Sequence, residues 1–153
     1  MLVTGHSLGG CLATLSAYEI ATTFPRTRVC MVSFGASRVV SHKLASAFGM
    51  LPNMRAYRVV NGSDVVTRVP PNNAGFAHVG SMIWLRRGKV HETKPFGHTP
   101  WQIRLMPFEV LLGRTAGLAD HPIDSYLDVL LHGSWENCAR HSGSETFLTT
   151  EAT

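Results

Sequence analysis

The segment Val3-Thr4-Gly5-His6-Ser7-Leu8-Gly9-Gly10 constrains this chain more than any other, because it sets a serine at Gly-x-Ser-x-Gly spacing between apolar residues and a helical pattern. Such a strand-turn-helix reads as a nucleophile elbow, in which a sharp turn lifts the serine Oγ clear of the backbone. Gly5 and Gly9 are expected to let strand and helix close up around Ser7, the candidate nucleophile. The bland alternative is a glycine-rich turn with an incidental serine, and the strand-turn-helix context argues against it. A phosphate-binding loop is excluded, since Gly10 is followed by Cys11-Leu12 where Lys-Ser/Thr is required; the dinucleotide fingerprint does not fit either.

The pattern downstream is β-α-β-α-β. Residues from Leu8 to about Phe24 predict a helix rich in Gly and Ala, ended by Pro25, and Arg28 to Phe34 is a near-continuous apolar strand closed by Gly35. Ser41 is placed to cap a short helix to about Met50, and Arg55 to Val60 reads as the next strand. This alternation predicts a mostly parallel sheet with flanking helices. Asn61 to Asp64 carries turn chemistry, and Val79 to Leu85 is expected to be the last strand, turning at Gly88. From Thr93 to about Ala119, Pro95, Pro100 and Pro107 break the pattern, which predicts a surface excursion. His121-Pro122 then opens an amphipathic helix with Ile123, Tyr126, Leu127, Leu130 and Leu131 on one stripe and Asp124 near its start.

With 153 residues, 44% of them apolar, the chain is sized for a single core. The net charge of +4 comes from scattered basic residues; the densest run, Arg86-Arg87-x-Lys89, reads as a solvated hairpin rather than a nucleic-acid patch, since interleaved aromatics are lacking. Cys11, Cys30 and Cys138 give neither a disulfide framework nor a zinc pattern, and the first two fall in segments that look buried. No apolar run reaches the roughly 18 residues that crossing a bilayer requires.

A serine hydroxyl needs a histidine base, and the histidine needs a carboxylate to hold its tautomer. In this kind of fold the chain order is Ser, then Asp or Glu, then His. Asp64 lies just past a strand's carboxyl end and fits two roles, the acid of such a triad or the cap of a turn. Eight histidines compete for the base. His6 adjoins Ser7 but points to the opposite face if both are strand residues. His121, late in the chain at a helix N-terminus, fits either the base or a helix cap.

The blocks Val3 to Gly10, Ser33-Phe34-Gly35-Ala36-Ser37-Arg38-Val39, Val60 to Pro71, Phe76-Ala77-His78-Val79-Gly80 and Asp120-His121-Pro122-Ile123-Asp124-Ser125-Tyr126 follow in the order and spacing of the class 3, fungal-type lipases, which the chain resembles over about residues 1–131. The elbow and the Asn-x-x-Asp-x-Val-x-x-x-Pro block are the specific parts. The resemblance implies a partial α/β-hydrolase fold, with nucleophile Ser7, acid Asp64, base His121 and the backbone N–H of Leu8 as one oxyanion donor. The second donor of the family comes from a loop upstream of the elbow. Ala36-Ser37-Arg38 departs from the family's Gly-x-Pro-Arg, which should loosen one turn without touching the triad, and His78 is expected to be structural.

In that family the elbow follows several strands. The expectation is therefore that residues 1–135 are the C-terminal part of a lipase-type domain whose early strands and lid are missing, and that 136–153 form a polar, disordered tail. The activity implied is hydrolysis of a lipid or other carboxylic ester at a lipid–water interface, with no cofactor, metal or nucleic acid. Triacylglycerol, diacylglycerol, phospholipid and feruloyl esters all fall within the family's range. The alternative is a non-catalytic, truncated remnant or an incomplete gene product of such a lipase.

Overall fold

Leu2–His6 forms β1 and Leu8–Thr23 forms α1, with Ser7 alone between them. This is seen in a computed structural model, which describes residues 1–86, 88–93 and 116–133. Ser7 is the one non-glycine residue among these with positive φ, 55°. Such a conformation costs of order 1–3 kcal/mol and persists only where its surroundings hold it. Here the Ser7 N–H donates to the Phe34 carbonyl at 2.9 Å, and the Ser7 carbonyl accepts from the N–H groups of Gly10 and Cys11.

The glycines divide differently from the expectation. A Cβ on Gly5 would sit 2.3 Å from the Gly9 carbonyl oxygen, so Gly5 is required by the close approach of helix to strand. A Cβ on Gly9 would meet nothing within 4 Å. The second required glycine is Gly10, whose Cβ would lie 2.8 Å from that of Ala36 and 2.9 Å from the Gly5 carbonyl. Gly9 supplies the motif's spacing but not the contact, because its missing side chain faces away from the sheet.

After α1 come β2 (Val29–Phe34), β3 (Val40–Ser41), α2 (His42–Met50), β4 (Met54–Asn61), β5 (Phe76–Ala77), β6 (Ser81–Arg86), β7 (Lys89–Thr93), α3 (Ala116–Ala119) and α4 (Ile123–His132). As the sequence predicts, Ser41 caps α2, its Oγ accepting from the Leu44 N–H at 3.2 Å. The sheet order is β1-β2-β4-β6-β7; the first four strands are parallel and β7 is antiparallel to β6. Thus β6 is not the last strand. Lys89–Thr93 returns beside it as the second arm of a hairpin, and its single aliphatic residue, Val90, gave no alternating pattern to read. A short antiparallel pair, β3 with β5, was likewise too brief for a pattern.

Alternation along β2 sends Val29 and Met31 to one face and Val32 and Phe34 to the other. On the first face α1 and α2 close a core around Ala17, Ala21, Met31, Phe48 and Met54, where alanines let α1 lie close on the strands. On the second, Tyr126 of α4 packs with Val59, Leu85 and Val90. Register puts His6 opposite Phe34 and Phe34 opposite Val59, so β1, β2 and β4 reach one edge at nearly the same level. Cys11 is buried and Cys30 half-buried, both as free thiols. Cys138, the 136–153 tail and most of the proline-rich excursion lie outside the described residues. Among the described residues no helix is long and apolar enough to cross a membrane.

Substituting alanine at the three elbow glycines should separate them. Gly5→Ala and Gly10→Ala are expected to destabilise the fold by about 1–3 kcal/mol through overpacking, whereas Gly9→Ala should be neutral or stabilise by up to about 1 kcal/mol through helix propensity. Urea unfolding midpoints would check this, and equal losses at all three would refute the packing assignment.

Candidate active site

Three side chains from distant parts of the chain meet at the carboxyl edge of the parallel strands. Ser7 Oγ lies 2.9 Å from His121 Nε2. His121 Nδ1 lies 3.0 Å and 3.1 Å from the two carboxylate oxygens of Asp64. A carboxylate accepts but does not donate, so Nδ1 carries the proton and Nε2 is left to accept from the Ser7 hydroxyl. Asp64 is fully buried, while His121 keeps 21% of its side chain exposed.

Burial of Asp64 is compensated by donors from separate segments. The Val66 N–H donates to Oδ1 at 2.9 Å in the tight turn after β4, and the Tyr126 hydroxyl donates to Oδ2 at 2.5 Å from α4. Burial and then the bond to Asp64 hold the Tyr126 hydroxyl well above the ordinary tyrosine range. Gly35, at φ 59°, completes the pocket: a Cβ there would stand 2.9 Å from Asp64 Oδ2 and 3.0 Å from the Tyr126 oxygen. The sequence reading missed both Tyr126 and Gly35 as site residues. Tyr126 appeared there as one position of a helical stripe and as the end of a block shared with the class 3 lipases, with no role for its hydroxyl.

The loop carrying His121 is fastened at several points. Its N–H donates to the Leu118 carbonyl. Asn61 Nδ2 donates to the Asp120 carbonyl at 3.2 Å, and the Ser63 N–H donates to Asp120 Oδ2 at 2.7 Å. His6, set aside as a base because of its direction, places its Nε2 2.8 Å from the His121 carbonyl.

The other described histidines stand elsewhere. His132 pairs with Asp128 on the exposed side of α4, and His42 begins α2. His78 donates from Nε2 to the Thr67 carbonyl at 2.7 Å. Desolvation, followed by the Arg58 and Arg38 guanidinium groups, holds His78 far below the ordinary imidazole value and so keeps it neutral. Arg38 ties the turn after β2 to the segment beyond Asp64, donating to the carbonyls of Arg68 and Pro70. Leu8 is the first residue of α1, where a backbone N–H has no acceptor within the helix. No group of three metal-ligating side chains occurs among the described residues.

A strand-to-helix turn at the carboxyl edge of a parallel sheet, followed along the chain by an aspartate after β4 and a histidine before the final helix, defines the α/β-hydrolase class. Comparison with known proteins narrows this. The family described as Lipase (class 3) matches residues 1–74. Phospholipase A(1) DAD1, chloroplastic, of Arabidopsis thaliana is 46% identical over 72 residues, covering 44% of this chain and 15% of that protein. Secreted mono- and diacylglycerol lipase 1 of Fusarium solani is 38% identical over 88 residues, 57% of this chain and 25% of that protein. The chain therefore spans a quarter or less of these relatives. Among solved structures, lipase II from Rhizopus niveus superposes with a TM-score of 0.60 at 27% identity, covering 70% of this chain and 42% of the other. A triacylglycerol lipase whose catalytic centre is described as a serine protease triad gives 0.53 at 31% identity, covering 57% and 34%. The match to the class 3 lipase family thus takes in the first 74 residues, just under half of the chain.

Two substitutions probe how the site is supported. Tyr126→Phe should cost about 1.5–3 kcal/mol, the range for a hydrogen bond to a charged group, read from urea unfolding at neutral pH. Above pH 10.0, the ordinary tyrosine value, the unfolded chain releases the Tyr126 proton that the folded chain retains, so wild-type stability should fall with rising pH. The Phe variant should lack that contribution. His78 has the opposite sign: below its ordinary value of 6.5 the unfolded chain takes up a proton that the folded chain refuses, so stability falls as the pH drops. His78→Asn should lose less stability between pH 7.5 and 5 than the wild type, and an identical loss would refute the assignment.

Proposed function

We propose that this chain is a serine hydrolase of carboxylic, acylglycerol-type esters, with Ser7 as nucleophile, His121 as general base and acid, and Asp64 as the orienting carboxylate. The observation that carries this reading is the continuous hydrogen-bonded line from Ser7 Oγ through His121 to a buried Asp64. Ser7 Oγ attacks the ester carbonyl carbon as its proton passes to His121 Nε2. The tetrahedral oxyanion collapses and the C–O bond to the alcohol breaks. His121 returns its proton to the leaving alkoxide, and the acyl group stays on Ser7. Water then attacks the acyl-enzyme, its proton passing through His121 back to Ser7, and the carboxylic acid is released. The free N–H of Leu8 is one donor to the oxyanion; a single such donor is worth about 10² to 10³ in rate. Asp64 stabilises the imidazolium without becoming protonated.

The substrate class follows from the relatives, which are named for phospholipid and for mono- and diacylglycerol hydrolysis. It also suits the exposed Leu8, next to Ser7, and Leu12, one turn further along α1, as apolar surface fit for acyl chains at a lipid–water interface. A second reading, a non-catalytic remnant, has one observation on its side: among the described residues β1 pairs with β2 alone, and Leu2 on this edge strand is exposed. A bare strand edge promotes association rather than catalysis.

Incubation with a fluorophosphonate, followed by peptide mapping, distinguishes the two. The hydrolase reading expects an adduct on Ser7, and Ser7→Ala should lower turnover of a short-chain 4-nitrophenyl ester by about 10⁴-fold or more. A wild-type chain that is folded and monomeric yet takes no adduct would favour the remnant.

A further inference from the structure

The neighbour of the nucleophile has no part in the reaction as written, yet it makes the contact that spans the site. His6 ends β1 and turns its ring toward α4. Its Nε2 faces a carbonyl oxygen, which can only accept, so Nε2 carries the proton and donates to the His121 main chain at 2.8 Å. The two imidazole rings lie against each other with centroids 4.8 Å apart and planes inclined by 32°. The Tyr126 ring meets the His6 ring edge-on at 5.8 Å.

The other links to the His121 loop have a different origin. Asn61 and Ser63 belong to the end of β4 and the turn before Asp64, so their bonds to Asp120 set the base relative to the acid. Among the described residues, His6 is the one side chain from β1 that bonds this loop, and β1 is the strand that delivers Ser7. From this division of labour we infer that His6 is a positioning residue, whose Nε2–H fixes the His121 loop to the nucleophile-bearing strand and so sets the approach of His121 Nε2 to Ser7 Oγ. This rests on the hydrolase reading above and assigns to His6 no contact with substrate.

Paired substitutions test it on the full chain. His6→Phe keeps an aromatic ring but has no donor; His6→Gln restores an N–H donor at similar reach. His6→Phe should slow fluorophosphonate capture by Ser7 and lower kcat for a 4-nitrophenyl ester about 10-fold, as small misplacements of reacting groups do, with KM little changed. His6→Gln should recover most of the rate. The His121 Nδ1 proton, read by NMR in the resting protein, should shift in the Phe variant and return in the Gln variant. Wild-type capture by a folded His6→Phe, or a folded His6→Gln no faster than Phe, would overturn the inference. If His6→Phe does not fold, His6→Met gives the same comparison. If the wild type takes no adduct, the hydrolase reading falls; the NMR comparison then decides the His6 contact by itself, an unmoved His121 signal in the donor-less variant overturning it.

Discussion

A carboxylate with no exposed surface is costly to bury, and the arrangement around Asp64 answers that cost. Removing an ion from water costs several kcal/mol even after relaxation, so Asp64 is tolerable only with its oxygens occupied. Val66 supplies a backbone donor from its own turn, His121 an imidazole N–H from the late loop, and Tyr126 a hydroxyl from α4. Asp64 therefore holds the C-terminal helix to the sheet as much as it holds the histidine. The helix seats itself through Tyr126, which is both the largest fully buried side chain among the described residues and a hydroxyl donor to Asp64.

On the opposite face a cationic group steadies the segments that frame the site. Arg38 is 7% exposed and donates to the carbonyls of Arg68 and Pro70, joining the turn after β2 to the chain beyond Asp64. Burial, with Arg38 nearby, lowers the Arg58 guanidinium to about 10. The same two arginines help to keep His78 neutral, so its Nε2–H serves the Thr67 carbonyl as an ordinary donor. The Ala36-Ser37-Arg38 turn is held by Arg38 and by the 3.1 Å contact between Cys11 Sγ and Ser37 Oγ.

Much of this was legible in the residues because the signals are local. The apolar run of β2, the small residues of α1, the Ser41 cap and the stripe of α4 each act within one element, and the structure follows them closely. The meeting of Ser7, Asp64 and His121 was legible through the resemblance to the class 3 lipases, whereas motif and chain order alone left Asp64 open as a turn cap and His121 as a helix cap. What escaped were relations between elements. Whether a glycine is needed at position 9 or 10 depends on which flank of α1 meets the sheet. Tyr126 reads as apolar until its hydroxyl is seen against Asp64. His6 was set aside as though Ser7 continued the strand; the turn at Ser7 breaks that alternation and leaves His6 beside the base without making it one.

The sheet grows in one direction, from β1 through β2 and β4 to β6, and α4 packs over its later strands while His121, just before α4, reaches back to Ser7 at the end of β1. The described segment 116–122 thus ties α4 back to the edge of the sheet. It is held by a few polar ties to His6, Asn61 and Ser63, whereas the strands are held by continuous ladders. Ties of this kind open at lower free energy than a core sheet. Loosening this segment would separate His121 from Ser7 with every ladder intact, so on warming the chain would lose that contact before it lost its fold.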